Sequence, residues 1–465
     1  MTHPTGAPKT SQQIQESKLQ RKAPPLGSRP LRITNRQVLA IAIPMAFASL
    51  TTPMIGFVDT IVVGQFGDAQ LIGGLAAGGV VFDVVLASFS FLVSGTTGFV
   101  AQAFGRGDGL EARAVLWRAF VIAAGSGLAL VLLAPLIALV GEWLMNADQP
   151  VTTAMDVYIR IRLISAPAVL INYAILGYFL GCGNAALGLI LQLLLNGVST
   201  ASSILLGIYL GWGVAGIAWG TVCGEAAATM AGIIILLRCF RSMPKVSRQH
   251  TFNTVALRQM LHLNGDLMIR SFVLTGAYVL FARQGAQLGT LTLAANAVLM
   301  HFFLLACYFL DGFAAAAQQL AGQAVGARDQ RAFLRTVKLT AGWGCALAGL
   351  SSVLAFMFGE QLLGAITKTA DVRAEAVIYL PWAALGSLSG ALAMQMNAIF
   401  NGATWSRDIR NMMLISFAAF VAALLVFKPI FGNHGLWASL HIFLLVRGIS
   451  LLSIMRSRVR SAFAG

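Results

Sequence analysis

The chain has 465 residues, of which 57% are hydrophobic and 11% charged, with a mean hydropathy of +0.78. That leaves too few ionisable groups to cover a soluble surface of this size, so the chain belongs in a bilayer. The net charge of +15 is compatible with nucleic-acid binding only if it clusters on one face, and its distribution points elsewhere.

In chain order, residues 1–36 form a basic, proline- and glutamine-containing arm. It has no apolar stretch of the kind a cleavable signal requires, and it reads as disordered. Apolar runs of helix length follow, separated by short polar turns. A membrane-crossing helix needs about 20 such residues, and the runs give about twelve spans centred near 50, 88, 128, 168, 198, 226, 274, 307, 348, 387, 421 and 445. The expected organisation is a first lobe over 37–240, an inter-lobe loop over 241–259, a second lobe over 260–456 and a tail over 457–465. Most of the 32 basic residues fall before the first span, in Arg106 to Arg118, in Arg238 to Arg258, in Arg328 to Lys338, at Arg407 and Arg410 and in Arg456 to Arg460, whereas the intervening outer segments hold only Arg160, Arg162, Arg283, Lys368, Arg373 and Lys428. Alternate loops are therefore basic, which places both termini in the cytoplasm of a multi-pass protein of the inner or plasma membrane, with the charge touching anionic lipid and not nucleic acid.

The chain is one unit written twice. Gln102 to Asp108 reads Q-A-F-G-R-G-D and Gln323 to Asp329 reads Q-A-V-G-A-R-D, and the same offset of 221 pairs Tyr158 with Tyr379, Phe179 with Phe400 and Gly181 with Gly402. Six spans per half is even, so the halves enter from the same side. Such repeats build a site between two lobes in many transporters. No zinc-protease, serine-hydrolase or phosphate-loop signature is present, which argues against an enzyme or an ATP-driven pump. The five cysteines, without paired spacing, read as small core residues.

A charge inside hydrocarbon is expensive and usually faces a cavity or a partner. Asp59, in the first span after Gly56, is the leading candidate for a residue that takes up and releases a proton. Asp83, toward the outer part of the second span, reads as reaching the headgroups. Glu225, Asp311 and the i, i+4 pair Asp266 and Arg270 are further in-span candidates. Asn172, Tyr173, Gln192, Asn196, Thr200 and Thr221 offer polar support, with Asn196 and Thr200 one turn apart on a shared face. Pro44 and Pro53 offer bends in the span that carries Asp59. Arg270 and Arg447 are the in-span cations that the sequence reveals, too few for the strongly basic cavity that a flippase of lipid-linked precursors would need.

The segments I-P-M (43–45), G-F-V-D-T-I-V-V-G (56–64), S-G-T-T-G-F-V-A-Q-A-F-G-R-G-D (94–108), L-G-W-G-V-A-G-I-A (210–218), L-A-A-N-A-V-L (293–299), Y-F-L-D-G-F-A-A-A-A (308–317) and R-D-I-R-N-M-M (407–413) resemble the DinF branch of the multidrug and toxic compound extrusion (MATE) family from about residue 35 to 455. The resemblance implies an all-α membrane protein of two pseudo-symmetric six-helix lobes around a V-shaped cavity. It also implies alternating access driven by protons or sodium, with no cofactor besides the ion gradient. Pro44 and Asp59 match the family's hinge proline and cation-coupling acid, and Asn172 and Asn196 match polar partners of that acid. The expected function is a monomeric, proton-coupled antiporter exporting small amphipathic or cationic organic compounds. The alternatives are sodium coupling, a lipid-precursor flippase and a non-transporting receptor or scaffold. The chain departs from the branch at Val93, where an arginine is usual, at Gln318, where an acid is usual, and at Asn397–Ala398, so any coupling concentrates on the first lobe.

Overall fold

The computed structural model describes residues 31–64, 69–145, 148–241, 246–367 and 369–464; the side chains of 52–55, 57–61, 63, 64, 69, 248, 250 and 365 fall outside that description. All regular structure among the described residues is helical: α1 (Asn35–Gly64), α2 (Ala69–Ala87), α3 (Phe91–Gly105), α4 (Gly109–Leu132), α5 (Ala134–Met145), α6 (Gln149–Ile164), α7 (Ala166–Gly181), α8 (Ala185–Ser203, prolonged by a π turn over Ile204–Tyr209), α9 (Gly213–Phe240), the single turn α10 (Arg248–Thr251), α11 (Thr254–Ala286), α12 (Thr290–Gly326), α13 (Gln330–Ile366), α14 (Ala370–Gly402), α15 (Ser406–Phe431) and α16 (Asn433–Phe463).

Ten helical units among the described residues are long and apolar enough to cross a bilayer, with α2 and α3 running as one, and the bent pair α6–α7 makes eleven. The 30-residue α1 stands where the first span is expected, and every expected span centre falls inside one of these units. The outward faces are apolar, with Leu132, Trp143 and Leu425 more than two-thirds exposed, as helices surrounded by lipid require. Helix boundaries run past those read from sequence: α11 begins at Thr254, inside the stretch read as a loop, and α16 continues to Phe463 through the stretch read as a tail. Cys223, Cys239 and Cys345 are exposed on helix faces, so these three are not core residues as their apolar surroundings suggested.

The duplication is written into the backbone. Helical units starting at 69, 109, 149 and 185 recur at 290, 330, 370 and 406, and the packing recurs with them. The α2–α3 unit lies on α6–α7 as α12 lies on α14, and α8 on α9 as α15 on α16. The turn inside each septet also repeats: Gly107 and Arg328 both adopt positive φ, and Asp108 and Asp329 each cap the next helix, accepting from Glu111 N and Ala332 N at 2.9 Å.

The halves differ in continuity. The first half is interrupted at Ser88–Ser90, at Leu133 and at Ser165, where the second half runs on as unbroken helix. Local chemistry supplies reasons. Pro135 and Pro167 each remove a backbone donor just past a break, and the Ser88 hydroxyl donates to the Val84 carbonyl at 3.0 Å instead of leaving that group to the ladder. At Ser165 the axis bends by 51°, and the carbonyl of Arg162 accepts from the Ser165 hydroxyl at 2.8 Å.

Where the halves meet, α12 packs against α1 and α3. The two septets are each other's partners there. A Cβ on Gly105 would fall on the Gln323 carbonyl, and one on Gly326 would fall on the Gln102 carbonyl. Glycine is thus what lets the two backbones touch. Gln102 Nε2 adds hydrogen bonds to the Gly402 carbonyl at 3.0 Å and to Thr404 Oγ1 at 3.1 Å, and Gln318 Nε2 donates to the Ser94 carbonyl at 2.7 Å. At this septet end the two halves are held in backbone contact.

Candidate functional site

A stripe of small residues sets up the site. On α9, Gly216, Gly220 and Gly224 recur every fourth residue and abut Leu206, Ser203 and Ser199 of the neighbouring α8 unit so closely that none has room for a Cβ. One face of α9 is thereby locked against α8, and Glu225, next along the chain, is turned toward α7. There Asn172 Nδ2 donates to Glu225 Oε2 at 2.7 Å and to the Glu225 carbonyl at 3.2 Å. The Thr229 hydroxyl, one turn further on α9, lies 3.0 Å from Asn172 Oδ1 and 2.8 Å from the Glu225 carbonyl and has one proton to give to either, while the amide is oriented with its NH2 toward the carboxyl.

This network borders a cavity of about 660 Å3, within the range of drug-sized sites. Its walls come from α1 (Gly56), α2, α6, α7, α8 and α9, with Tyr308 of α12 the contribution from the second half. Asp83, Arg162 and Glu225 are its charged lining residues, accompanied by Asn172, Tyr173, Gln192 and Thr221. Arg162 lies over the Phe82 ring, 4.1 Å from its centroid, and its Nε and Nη1 are buried without a hydrogen-bond partner. The guanidinium is within electrostatic range of both carboxylates yet forms an ion pair with neither.

Several sequence expectations change here. Asp83, read as reaching headgroups, lines the cavity. Arg162, read as an outer-loop charge, is an in-span residue. Its neighbour Arg160 pairs with Asp156 at 2.7 Å on the helix's outer side, whereas Arg162, four residues after Tyr158, shares the cavity face with it. The alternation in Tyr158, Arg160, Arg162 was the available signal. Thr229 was missed because a hydroxyl in an apolar helix carries no signature until its partner is known.

Of the other expected residues, Thr221 lines the cavity and donates to the Ile217 carbonyl at 3.2 Å. Asn196 donates to the Thr51 carbonyl of α1 at 3.1 Å and accepts from Gln192 at 3.2 Å, tying α8 to α1 below the cavity. Thr200, one turn on, is half-buried and not among the lining residues. Pro44 is half-buried within α1, which is helical through it. Asp59 lies on α1, three residues beyond the cavity-lining Gly56; its side chain, like that of Pro53, falls outside the described residues.

The Asp266–Arg270 pair is not formed. Asp266 instead accepts from Arg410 Nη1 at 2.6 Å and from Ser406 Oγ at 2.7 Å, because it faces α15 across the septet end, whereas Arg270 points elsewhere with its Nε buried and without a partner. Asp311 is half-buried on α12, one turn from Tyr308, and does not line the cavity. A second cavity of about 560 Å3 lies at the septet end, ringed by Asp266 and by the ion pairs Asp408–Arg458 at 2.6 Å and Glu111–Arg118 at 2.7 Å.

Residues 44–210 and 267–427 match the MatE family model, one copy in each half. This chain belongs to the MATE family. It is a multi-pass membrane protein of the multidrug and toxin efflux transporters, and not an enzyme. It is 31% identical over 437 residues to DNA damage-inducible protein F of Escherichia coli (strain K12), covering 93% of this chain and 94% of the relative. It is 26% identical over 450 residues to the probable multidrug resistance protein NorM of Chromobacterium violaceum, covering 90% and 92%. Among solved structures, the outward-facing conformation of a multidrug resistance MATE family transporter of the MOP superfamily shares the fold at a TM-score of 0.84 and 17% identity, covering 93% of this chain and 97% of that one. A MATE in the straight conformation reaches 0.85, also at 17% identity and with the same coverage.

Proposed function

We propose that this MATE transporter is a secondary active exporter driven by protons, with Asp59 of α1 as the coupling acid and the Glu225–Asn172–Thr229 network as its polar partner across the first-lobe cavity. The observation that supports this most is the cavity itself. It is a drug-sized, largely apolar space inside one lobe of a duplicated bundle, with its carboxylates on helices held by small-residue packing and Gly56 of α1 in its wall. The basic loops put the septet end in the cytoplasm, so the arrangement with the halves in contact at that end is the outward-open one. A proton arriving from outside alters the hydrogen bonding between α1, α7, α8 and α9, biases the closure of the cavity and displaces the cargo. The driving force suffices: one charge crossing 100 mV gains about 2.3 kcal/mol, equivalent to a concentration ratio of about 50.

The test is flux in proteoliposomes with pH and sodium gradients imposed one at a time. A pH gradient alone drives export by the wild-type protein, and Asp59→Asn abolishes substrate-dependent proton movement. Drive by sodium alone assigns the other ion, and unchanged proton movement in Asp59→Asn removes its role. Accumulation that follows neither gradient removes the exporter reading in favour of a receptor or scaffold.

A further inference from the structure

Among the described lining residues Arg162 is the cation of the cavity; the coupling scheme gives it no role, and its hydrogen-bonding surroundings do not satisfy it. A guanidinium carries five N–H donors and stays protonated. Here Nε and Nη1 are buried and unmet, the plane is set over Phe82, and neither Asp83 nor Glu225 closes an ion pair. Glu225 is already engaged by Asn172 at 2.7 Å. The Phe82 and Tyr158 rings and the nearby Asp83 and Glu225 carboxylates stabilise the guanidinium in part, but buried donors left without a hydrogen-bond partner remain costly. Phe82, Tyr158, Tyr173 and Tyr308 add aromatic surface to walls that are otherwise mostly aliphatic.

We propose that Arg162 is a substrate-contacting residue that anchors a carboxylate or sulfonate of the cargo, so that the cavity selects amphipathic aromatic zwitterions over plain organic cations. The inference rests on the exporter reading and names its substrate class. The logic follows from the charges present. A purely anionic cargo would bind better as the acids take up protons, which opposes proton-for-substrate exchange. A cargo with a cationic group competes with the proton for the carboxylates, and its acidic group pairs with the Arg162 guanidinium at the cavity wall. Charge-assisted hydrogen bonds of this kind are the strong ones.

Rhodamine B and its ethyl ester share one chromophore and differ by a single carboxylate, the acid being a zwitterion and the ester a cation. Fluorescence anisotropy with the full-length protein in nanodiscs, referenced to empty nanodiscs, compares their affinities directly. The wild-type protein should bind the acid about tenfold more tightly than the ester. Arg162→Gln should erase that margin while leaving ester binding intact or improved, and Arg162→Lys should retain part of it. Equal affinities in the wild type overturn the proposal, as does a full margin in Arg162→Gln. If the Gln variant does not fold, as judged by thermal unfolding, the wild-type comparison and Arg162→Lys decide the matter, and an undiminished margin in the Lys variant counts against the anchor. A binding margin without gradient-driven export of either dye would strike the exporter reading and leave this one standing. Coupled export of the ester without a margin would do the reverse.

Discussion

Replacing Gly105 with alanine tests whether the septet contact is what seals one end of the bundle. The added Cβ meets the Gln323 carbonyl, which is backbone, so no side chain can rotate away and α3 must move off α12. Overpacking of this kind costs about 1–3 kcal/mol, borne only by the sealed arrangement. Alanine is also up to about 1 kcal/mol better than glycine in a helix, a gain that is kept when the helices part. A bias of 1–3 kcal/mol between sealed and unsealed forms is a change of about 5- to 150-fold in their ratio. Gly326→Ala acts on the reciprocal contact with Gln102, and because both contacts lie in one interface the double variant should show less than the sum. Pulsed electron-spin distance measurements between labels at the exposed Leu110 and Arg331 would report the opening as a growing long-distance population. Gly125→Ala, whose Cβ meets nothing within 4 Å, is the control. If Gly105→Ala leaves the distance distribution unchanged, or if the control shifts it equally, the glycine contact is not the seal.

Gly224→Ala drives a methyl group into Ser199 and the Leu195 carbonyl and should lower stability by about 1–3 kcal/mol; Gly197→Ala on α8, which has open space, should be neutral or better in the same thermal unfolding assay. Asn172→Leu removes the amide that bonds Glu225 at 2.7 Å and leaves a buried carboxyl without its donor, a loss of about 1–3 kcal/mol that should appear both in unfolding and as reduced gradient-driven flux. Asp266→Asn weakens the Arg410 contact at the septet end. Because that arginine is about one-third exposed, the effect should be no more than about 1 kcal/mol, visible in the thermal unfolding assay as a small loss of stability that shrinks with added salt, with the label distances between the halves unchanged because both partners lie in the second half.

Much of this arrangement is legible in the sequence because it rests on spacing. Helix lengths follow from apolar run lengths, and the duplication follows from the septets and their constant offset. The septets were identified as markers of the repeat, but that they pack on one another is a long-range fact that no local pattern carries. The site is harder to read for the same reason. Glu225 and Asn172 lie 53 positions apart, and either alone is as compatible with helix packing as with chemistry. Arg162 reads from sequence as an outer-segment charge beside Arg160, and only the turn of the helix separates the arginine that pairs with Asp156 from the one that lines the cavity. Asp266 was paired with Arg270 by i, i+4 spacing alone, whereas a tertiary partner at Arg410 satisfies it better.

The two halves kept different things from their common pattern. Backbone contacts are retained in both copies: Gly105 answers Gly326, Gly181 answers Gly402, and the capping aspartates Asp108 and Asp329 correspond. The polar side chains are not. At the offset of 221, Asp83, Arg162, Asn172 and Glu225 face Leu304, Ala383, Ala393 and Val446 in the second half, and Asn196 and Thr221 face Phe417 and Ile442. The three interruptions also lie in the first half alone, and two of them fall within a few residues of Asp83 and Arg162. A break frees backbone polar groups that only a wetted or tightly packed surface can satisfy; in the first half the breaks near Asp83 and Arg162 and those charges border one cavity, whereas the buried charges of the second half, Asp266, Asp408 and Arg447, sit on continuous helices. The second half, unbroken over the corresponding segments, supplies the surface against which the first half closes. This division predicts that Leu304→Asp or Ala383→Arg, which copy Asp83 and Arg162 onto the continuous α12 and α14, will lower stability in the thermal unfolding assay without raising gradient-driven flux, because a charge placed there has no partner built for it.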